Sequence, residues 1–212
     1  MNLAAIKNVG RPRDESRDAA ILEATLQVLG EVGYDRLTID AVAAKAKASK
    51  ATVYRRWTGK ASLVVEAIQT INPHKVPVAG AEPECIWPDT GSLRGDLLAG
   101  CRNFVERLNS DEGRLMVAVM TAQARDPELA TAMRAATYDD KRRSCRILAD
   151  RALARGELNS TAGADTFVEV LPAIMFNRLL ISGEPFDEAF IAHVVDDIAL
   201  PLLGHHERAG KP

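Results

Sequence analysis

Between Leu37 and Lys60 the chain reads Leu-Thr-Ile-Asp-Ala-Val-Ala-Ala-Lys-Ala-Lys-Ala-Ser-Lys-Ala-Thr-Val-Tyr-Arg-Arg-Trp-Thr-Gly-Lys, a stretch that few structures can accommodate. Thr38 and Ser49 are both good helix N-caps, and each opens a short run of helix formers. The spacing predicts one helix over 38–46 and a second from Ser49 to near Trp57, joined by a tight turn. Val42, Ala43, Ala46, Ala48, Val53 and Trp57 are spaced to bury one side, and the small Ala43 and Ala46 let the two helices approach closely. The second helix keeps Lys50, Ala51, Thr52, Arg55 and Arg56 on its outer side. That is the layout of a recognition helix, whose first residues enter a DNA major groove while flanking groups hold phosphates.

The rest of the chain is patterned as helix. From about Asp14, Ile21, Ala24, Thr25, Val28, Leu29 and Val32 recur at three- and four-residue intervals, with Gly33 as the stop. A fourth helix is expected over 60–71, before Asn72-Pro73. Pro73, Pro77, Pro83 and Pro88, with Gly80 and Gly91, make 72–91 a connector. Helical patterns resume at 92–109, 112–124 and 127–155, Pro127 being well placed for a first helical turn. Two apolar helices follow, over 162–182 and 186–203. No run alternates as a strand would. The expected fold is all-α, with an N-terminal three-helix helix-turn-helix domain and a linking fourth helix, then a larger helical body. The expected divisions are a flexible basic arm over 1–13, the DNA-binding domain over 14–71 and the body over 72–212.

Composition narrows the function classes. Residues 1–71 hold 11 Lys+Arg against 8 Asp+Glu, whereas the remainder holds 16 against 21, so a mildly basic head precedes an acidic body. Cys85, Cys101 and Cys145 are odd in number and contain no CxxC, which argues against a disulfide framework or zinc site and fits a reducing cytoplasm. No apolar run approaches the ~20 residues needed to span a bilayer, and no secretory signal opens the chain. Asp139-Asp140 and Asp196-Asp197 read as solvated faces, and His205-His206 lack a third metal ligand. There is no Gly-rich phosphate loop and no GxSxG elbow. Neither a metal nor a cofactor is expected, and no catalytic constellation.

The stretch 15–71 resembles the N-terminal domain of the TetR family of bacterial regulators. The resemblance rests on Ile-Leu-Glu-Ala at 21–24, Gly33-Tyr34, Leu37-Thr38-Ile39, and above all Ser49-Lys50-Ala51-Thr52-Val53-Tyr54-Arg55-Arg56-Trp57 followed by Lys60. It implies that Thr38, Tyr54 and Lys60 contact phosphate, and that Lys50, Thr52 and Arg55 reach base edges or the backbone beside them. Arg56 would serve in either role. Thr38 and Ser49 also read as plain caps, Tyr54 as a packing residue and Lys60 as a solvated charge. Two positions depart from the family pattern: Lys47 stands where the turn usually has glycine, and Ala51 where the recognition helix does. A non-glycine in a left-handed turn costs about 1 kcal/mol, while the Ala51 methyl can meet a thymine methyl. In the arm, Gly10-Arg11-Pro12-Arg13 resembles a minor-groove hook, with Arg11 and Arg13 as the contacting residues; its plain reading is a solvated tail. Asp89-Thr-Gly-Ser-Leu-Arg-Gly-Asp96 resembles the start of the fifth helix in one branch of the family.

For the body, the resemblance implies a four-helix homodimer interface built from Val168, Leu171, Met175 and Leu179 on one helix and Phe190, Ile191, Val194, Val195, Ile198 and Leu202 on the last. The plain reading of those stripes is a monomer core. Cys101, Phe104, Leu108, Met116, Met120, Tyr138 and Phe176 lie on helices that surround a cavity in this family, which implies an apolar pocket for a hydrophobic or amphipathic effector. Such residues read equally as core. The expected partners are therefore double-stranded DNA with a palindromic operator, a small-molecule effector and a second copy. A carrier protein with a vestigial head and an all-α enzyme share the bulk features; sequence-blind DNA binding would select the first, and turnover of a bound ligand the second.

Overall fold

The computed structural model describes residues 15–71 and 85–204. Arg11 and Arg13, most of the connector and His205-His206 lie outside the described residues. The chain parts into two compact units, the division falling between Ala67 and Ile68. Among the described residues every regular element is helical.

The first unit begins with α1 (Glu15–Arg36), which buries Ile21, Leu22, Val28 and Leu29. The expected stop at Gly33 is a kink: Gly33 has φ 74 and ψ 170, a conformation open to glycine, after which one further turn carries Tyr34 into the core. α2 (Ile39–Lys45) and α3 (Lys50–Tyr54) follow, and α4 (Lys60–Thr70) runs across the division between the units. Helix-like bonding continues past Tyr54, because Trp57 N–H donates to the Val53 carbonyl at 3.0 Å.

The second unit holds α5 (Leu93–Asn109), α6 (Asp111–Ala122), α7 (Pro127–Ala154) and α8 (Ala164–Asn177). The final helix is α9 (Glu188–His193) continued by a wide π-helical stretch (Val194–Ala199) and α10 (Leu200–Leu203). Pro201 explains the widening. It has no N–H to donate to the carbonyl four residues back, and its ring pushes that carbonyl away. α8 likewise ends in a π turn, Arg178–Ser182, closed by Gly183 N–H donating to the Arg178 carbonyl at 2.9 Å.

One buried carboxylate organises the start of this unit. Asp96 is fully buried; its Oδ1 accepts from Thr90 N–H at 2.6 Å and Thr90 Oγ1 at 2.7 Å, while its Oδ2 accepts from Arg155 Nη2 at 2.9 Å. Arg155, just past α7, also donates to Glu157, whose other oxygen accepts from Leu93 N–H at 2.7 Å. The segment Asp89–Asp96 therefore ties α5 to the end of α7. Trp87 packs beside it at a ring distance of 5.4 Å from Phe167, and a Cβ on Gly100 would come within 2.3 Å of the indole. Burial would raise the Asp96 carboxyl, but Thr90 and Arg155 outweigh it and hold the carboxyl below its ordinary range.

A carboxyl depressed on folding contributes stability that is complete above its unfolded pKa of about 3.9 and is lost as pH falls through the folded value. Replacing Asp96 with Ala is expected to lower the unfolding free energy by about 3 kcal/mol in urea titrations, since it orphans Thr90 and frees Arg155. Asp96→Asn should show a shallower loss of stability than the native chain on acidification below about pH 4; equal slopes would refute the assignment.

Candidate nucleic-acid interface

Local chemistry alone sets the geometry of the α2–α3 pair. Thr38 is extended at φ −125 and ψ 149, and its Oγ1 accepts from Ala41 N–H at 3.2 Å, capping α2. Ser49 does the same for α3, its Oγ accepting from Thr52 N–H at 3.1 Å. Between them, Lys47 adopts φ 51, the one positive-φ non-glycine among the described residues. Lys47 N–H donates to the Ala44 carbonyl at 3.2 Å, and Ala48 N–H reaches back to the Ala43 carbonyl at 2.9 Å. This pair of bonds is the Schellman closure, which usually employs glycine at the left-handed position. The turn is thus the conventional one, with a lysine where glycine would be free of strain.

The closure leaves no slack between the helices. Val42 and Val53 are completely buried, Trp57 nearly so, and the Trp57 indole N–H donates to Glu66 Oε2 of α4 at 2.8 Å. The opposite side of α3 stays open. Lys50, Ala51, Tyr54 and Arg55 are exposed, and Thr52 is half-buried with its hydroxyl 2.8 Å from that of Ser49. Arg56 turns away from them. Its guanidinium lies 2.5 Å from Asp18 Oδ2 on α1, with both side chains mostly buried, so it ties the turn that follows α3 to α1. Lys60 sits at the C-terminal end of α1, its ammonium 3.2 Å from the Asp35 carbonyl and 4.1 Å from the Tyr34 ring centre. Lys50 pairs across the turn with Asp40, and Lys45 with Glu31. Asp40's hydrogen bond and charge raise the Lys50 ammonium above its ordinary pKa. None of these three acid–base pairs was apparent in the sequence, because each joins residues ten or more positions apart on different elements.

Residues 21–67 match the family described as bacterial regulatory proteins, tetR family, and residues 87–198 match the tetracyclin repressor-like C-terminal domain. The protein belongs to the TetR family. The HTH-type transcriptional regulator Rv1556 of Mycobacterium tuberculosis is 36% identical over 197 residues, covering 91% of this chain and 93% of that one. The DNA-binding transcriptional repressor TetR of Mycobacteroides abscessus is 36% identical over 191 residues, covering 90% and 96%. Among solved structures, the TetR family regulator SCO0332 superposes with a TM-score of 0.66 at 27% identity, covering 91% and 100%. The multidrug binding protein EbrR, solved with ethidium, shares the fold at a TM-score of 0.61 and 24% identity, covering 88% and 98%. This TetR-family chain is accordingly a DNA-binding transcriptional regulator.

In the second unit of this regulator, the residues expected around a pocket divide. Cys101 and Leu108 are buried, and burial pushes the Cys101 thiol up to about 12, leaving it an inert packing group. Phe104 meets Phe176 edge-on at 6.3 Å, and Met116 and Met120 on α6 are half-buried. Tyr138 does not join them. It is exposed, with its hydroxyl 3.4 Å from Glu169 of α8, because five residues beyond buried Met133 lies about 140° round the helix. The expected dimer stripes divide as well. Val168, Met175, Ile191, Val194 and Val195 are buried within the single chain and belong to its own core. Leu171, Leu179, Phe190, Ile198 and Leu202 stay half-buried, and Leu171, Ile198 and Leu202 line a shallow apolar cleft with Val170 and Ile174. The exposed Leu180 and Ile181 lie beyond the stripe that the sequence suggested. Among the described residues no cluster of His, Cys, Asp or Glu could hold a metal, and no helix is long and apolar enough to cross a membrane.

The turn makes its own prediction. Lys47→Gly is expected to stabilise the protein by about 0.5 kcal/mol, and Lys47→Val to destabilise it by about 1 kcal/mol, since a β-branched residue resists the left-handed region. Thermal melts of the two variants check this; a less stable Lys47→Gly would mean that the lysine side chain matters more than the backbone strain.

Proposed function

We propose that this regulator is a repressor that binds a palindromic operator as a homodimer and is released by a small hydrophobic or amphipathic effector. The observation that carries the reading is the capped α2–turn–α3 unit, which buries Val42, Val53 and Trp57 while leaving Lys50, Ala51, Thr52, Tyr54 and Arg55 open on one side. Lys50, Thr52 and Arg55 take base edges, and the Ala51 methyl takes an apolar contact such as a thymine methyl. Thr38 uses its hydroxyl oxygen as a cap, so its O–H proton remains for a phosphate oxygen, joined by Ser49, Tyr54 and Lys60. Arg56, held by Asp18, acts by fixing α3. Arg11 and Arg13 extend the footprint into the minor groove.

The half-buried face of Leu171, Leu179, Phe190, Ile198 and Leu202 supports pairing of two copies through α8 and the final helix. Two recognition helices then read half-sites about 34–36 Å apart. An effector among Phe104, Leu108, Met116, Met120 and Phe176 acts by binding one conformer more tightly than the other. The EbrR–ethidium complex, in a protein of the same fold, and the relatives named as repressors support this reading. The work is on DNA, 14–71 serving contact and 72–212 sensing and assembly, and the cytoplasm is the compartment this reading implies.

Selection from a random duplex library at physiological salt is expected to return a palindrome. Lys60→Ala should then weaken binding to every duplex and reduce the salt slope by about one. Arg55→Ala should instead relax one base preference in each half-site. Recovery of no enriched sequence would overturn the proposal.

A further inference from the structure

The surface beside α3 is less positive than its basic residues suggest. Arg56 is turned back to Asp18 on α1 and Lys45 is held by Glu31. The third pair is different in kind, because Lys50 is the first residue of α3 and stands among the exposed groups of the recognition face. Its ammonium lies 2.9 Å from Oδ1 and 3.0 Å from Oδ2 of Asp40, a residue in the first turn of α2. Both side chains are more than half exposed, at 54% and 68%, so a ligand of the ammonium also meets the carboxylate.

A lysine ammonium has three N–H donors, and Asp40 approaches it from one side. A neutral acceptor such as guanine O6 or N7 can take a remaining donor while the carboxylate stays in place. A phosphate oxygen can do so only by bringing a second negative charge to within a few ångströms of the first. We infer that Asp40 is a specificity-determining residue, which directs Lys50 to neutral base edges and withholds it from the phosphate backbone. The inference rests on the reading of α3 as the DNA-contacting helix. Its consequence falls on non-specific binding, which comes almost wholly from phosphate neutralisation and counterion release. Removing one cation from that pool widens the gap between operator and bulk DNA without adding any contact to the operator.

The test compares the full-length native protein with Asp40→Asn, Asp40→Glu, Lys50→Met and the Asp40→Asn/Lys50→Met double variant. Anisotropy titrations use the selected operator and a random-sequence duplex across a salt series. Asp40→Asn is expected to tighten the random duplex by about fivefold to tenfold and to steepen its salt slope by about one. Operator affinity should change by less than about twofold, so the specificity ratio falls. Asp40→Glu, which keeps the charge, should behave as the native protein does. In the Lys50→Met background the effect of Asp40→Asn on the random duplex should vanish. Equal tightening of both duplexes, or an undiminished effect without Lys50, would overturn the inference in favour of simple long-range repulsion. A native protein that discriminates between the duplexes beside an Asp40→Asn variant identical to it overturns the inference alone. A native protein with no sequence preference overturns the reading of α3, and this inference falls with it.

Discussion

The left-handed backbone at Lys47, and the two hydrogen bonds that close around it, set the direction of α3 relative to α2. α2 stops because the Ala43 and Ala44 carbonyls are taken by Ala48 and Lys47, and α3 starts one residue later because Ser49 supplies the cap. With no free residue in between, burial of both Val42 and Val53 follows, and so does the outward display of Lys50, Ala51 and Arg55. The turn accepts the strain of a lysine because the helices on both sides overdetermine its conformation.

Charge then shapes what this display offers. Exposed ion pairs contribute about 0–1 kcal/mol each, whereas full burial of a Val or Leu side chain contributes about 1.5–3 kcal/mol. The core therefore holds the first unit together, and its ion pairs matter for where positive charge is available. Asp18 withdraws Arg56 from the surface and Asp40 tempers Lys50, while Arg55 stands exposed on the same helix. A modest excess of basic residues in the head is thus smaller still on the open side of α3.

The second unit divides its apolar residues between two tasks. Its core gathers around Leu97, Leu148, Phe167 and Met175, with Asp96 anchoring the segment that leads into α5. Because Asp96 is satisfied by Thr90 and Arg155, a charge can be buried at the helix junction without an unpaired polar group. The remaining apolar groups on α8 and the final helix, such as Leu171, Leu179 and Leu202, stay half-buried. Asp196-Asp197 resolve as ordinary surface partners, Asp196 of Arg94 at 2.7 Å and Asp197 of His193 at 2.6 Å.

Local rules made the helices legible. Thr38, Ser49, Ser92 and Asp126 cap helices through hydrogen bonds to residues two or three positions on, so their role is written in adjacent sequence. The oddity of Lys47 was legible for the same reason, since a turn type depends on a few consecutive dihedrals. Periodicity identified the apolar faces of α8 and the last helix, but could not say which part of each face the chain would bury in itself. Val168 and Leu171 belong to one stripe, yet the first is in the core and the second is half-open. The cross-element pairs were equally hidden: Asp18 and Arg56 are 38 positions apart, and only the folding of the first unit brings their charges together. What the sequence by itself determined is the set of helices, their caps and the helix-turn-helix unit, all products of contacts within a turn or two of chain. What only the tertiary structure decided is which charges are neutralised and which apolar groups stay half-buried, because those depend on distances that close only when separate helices pack.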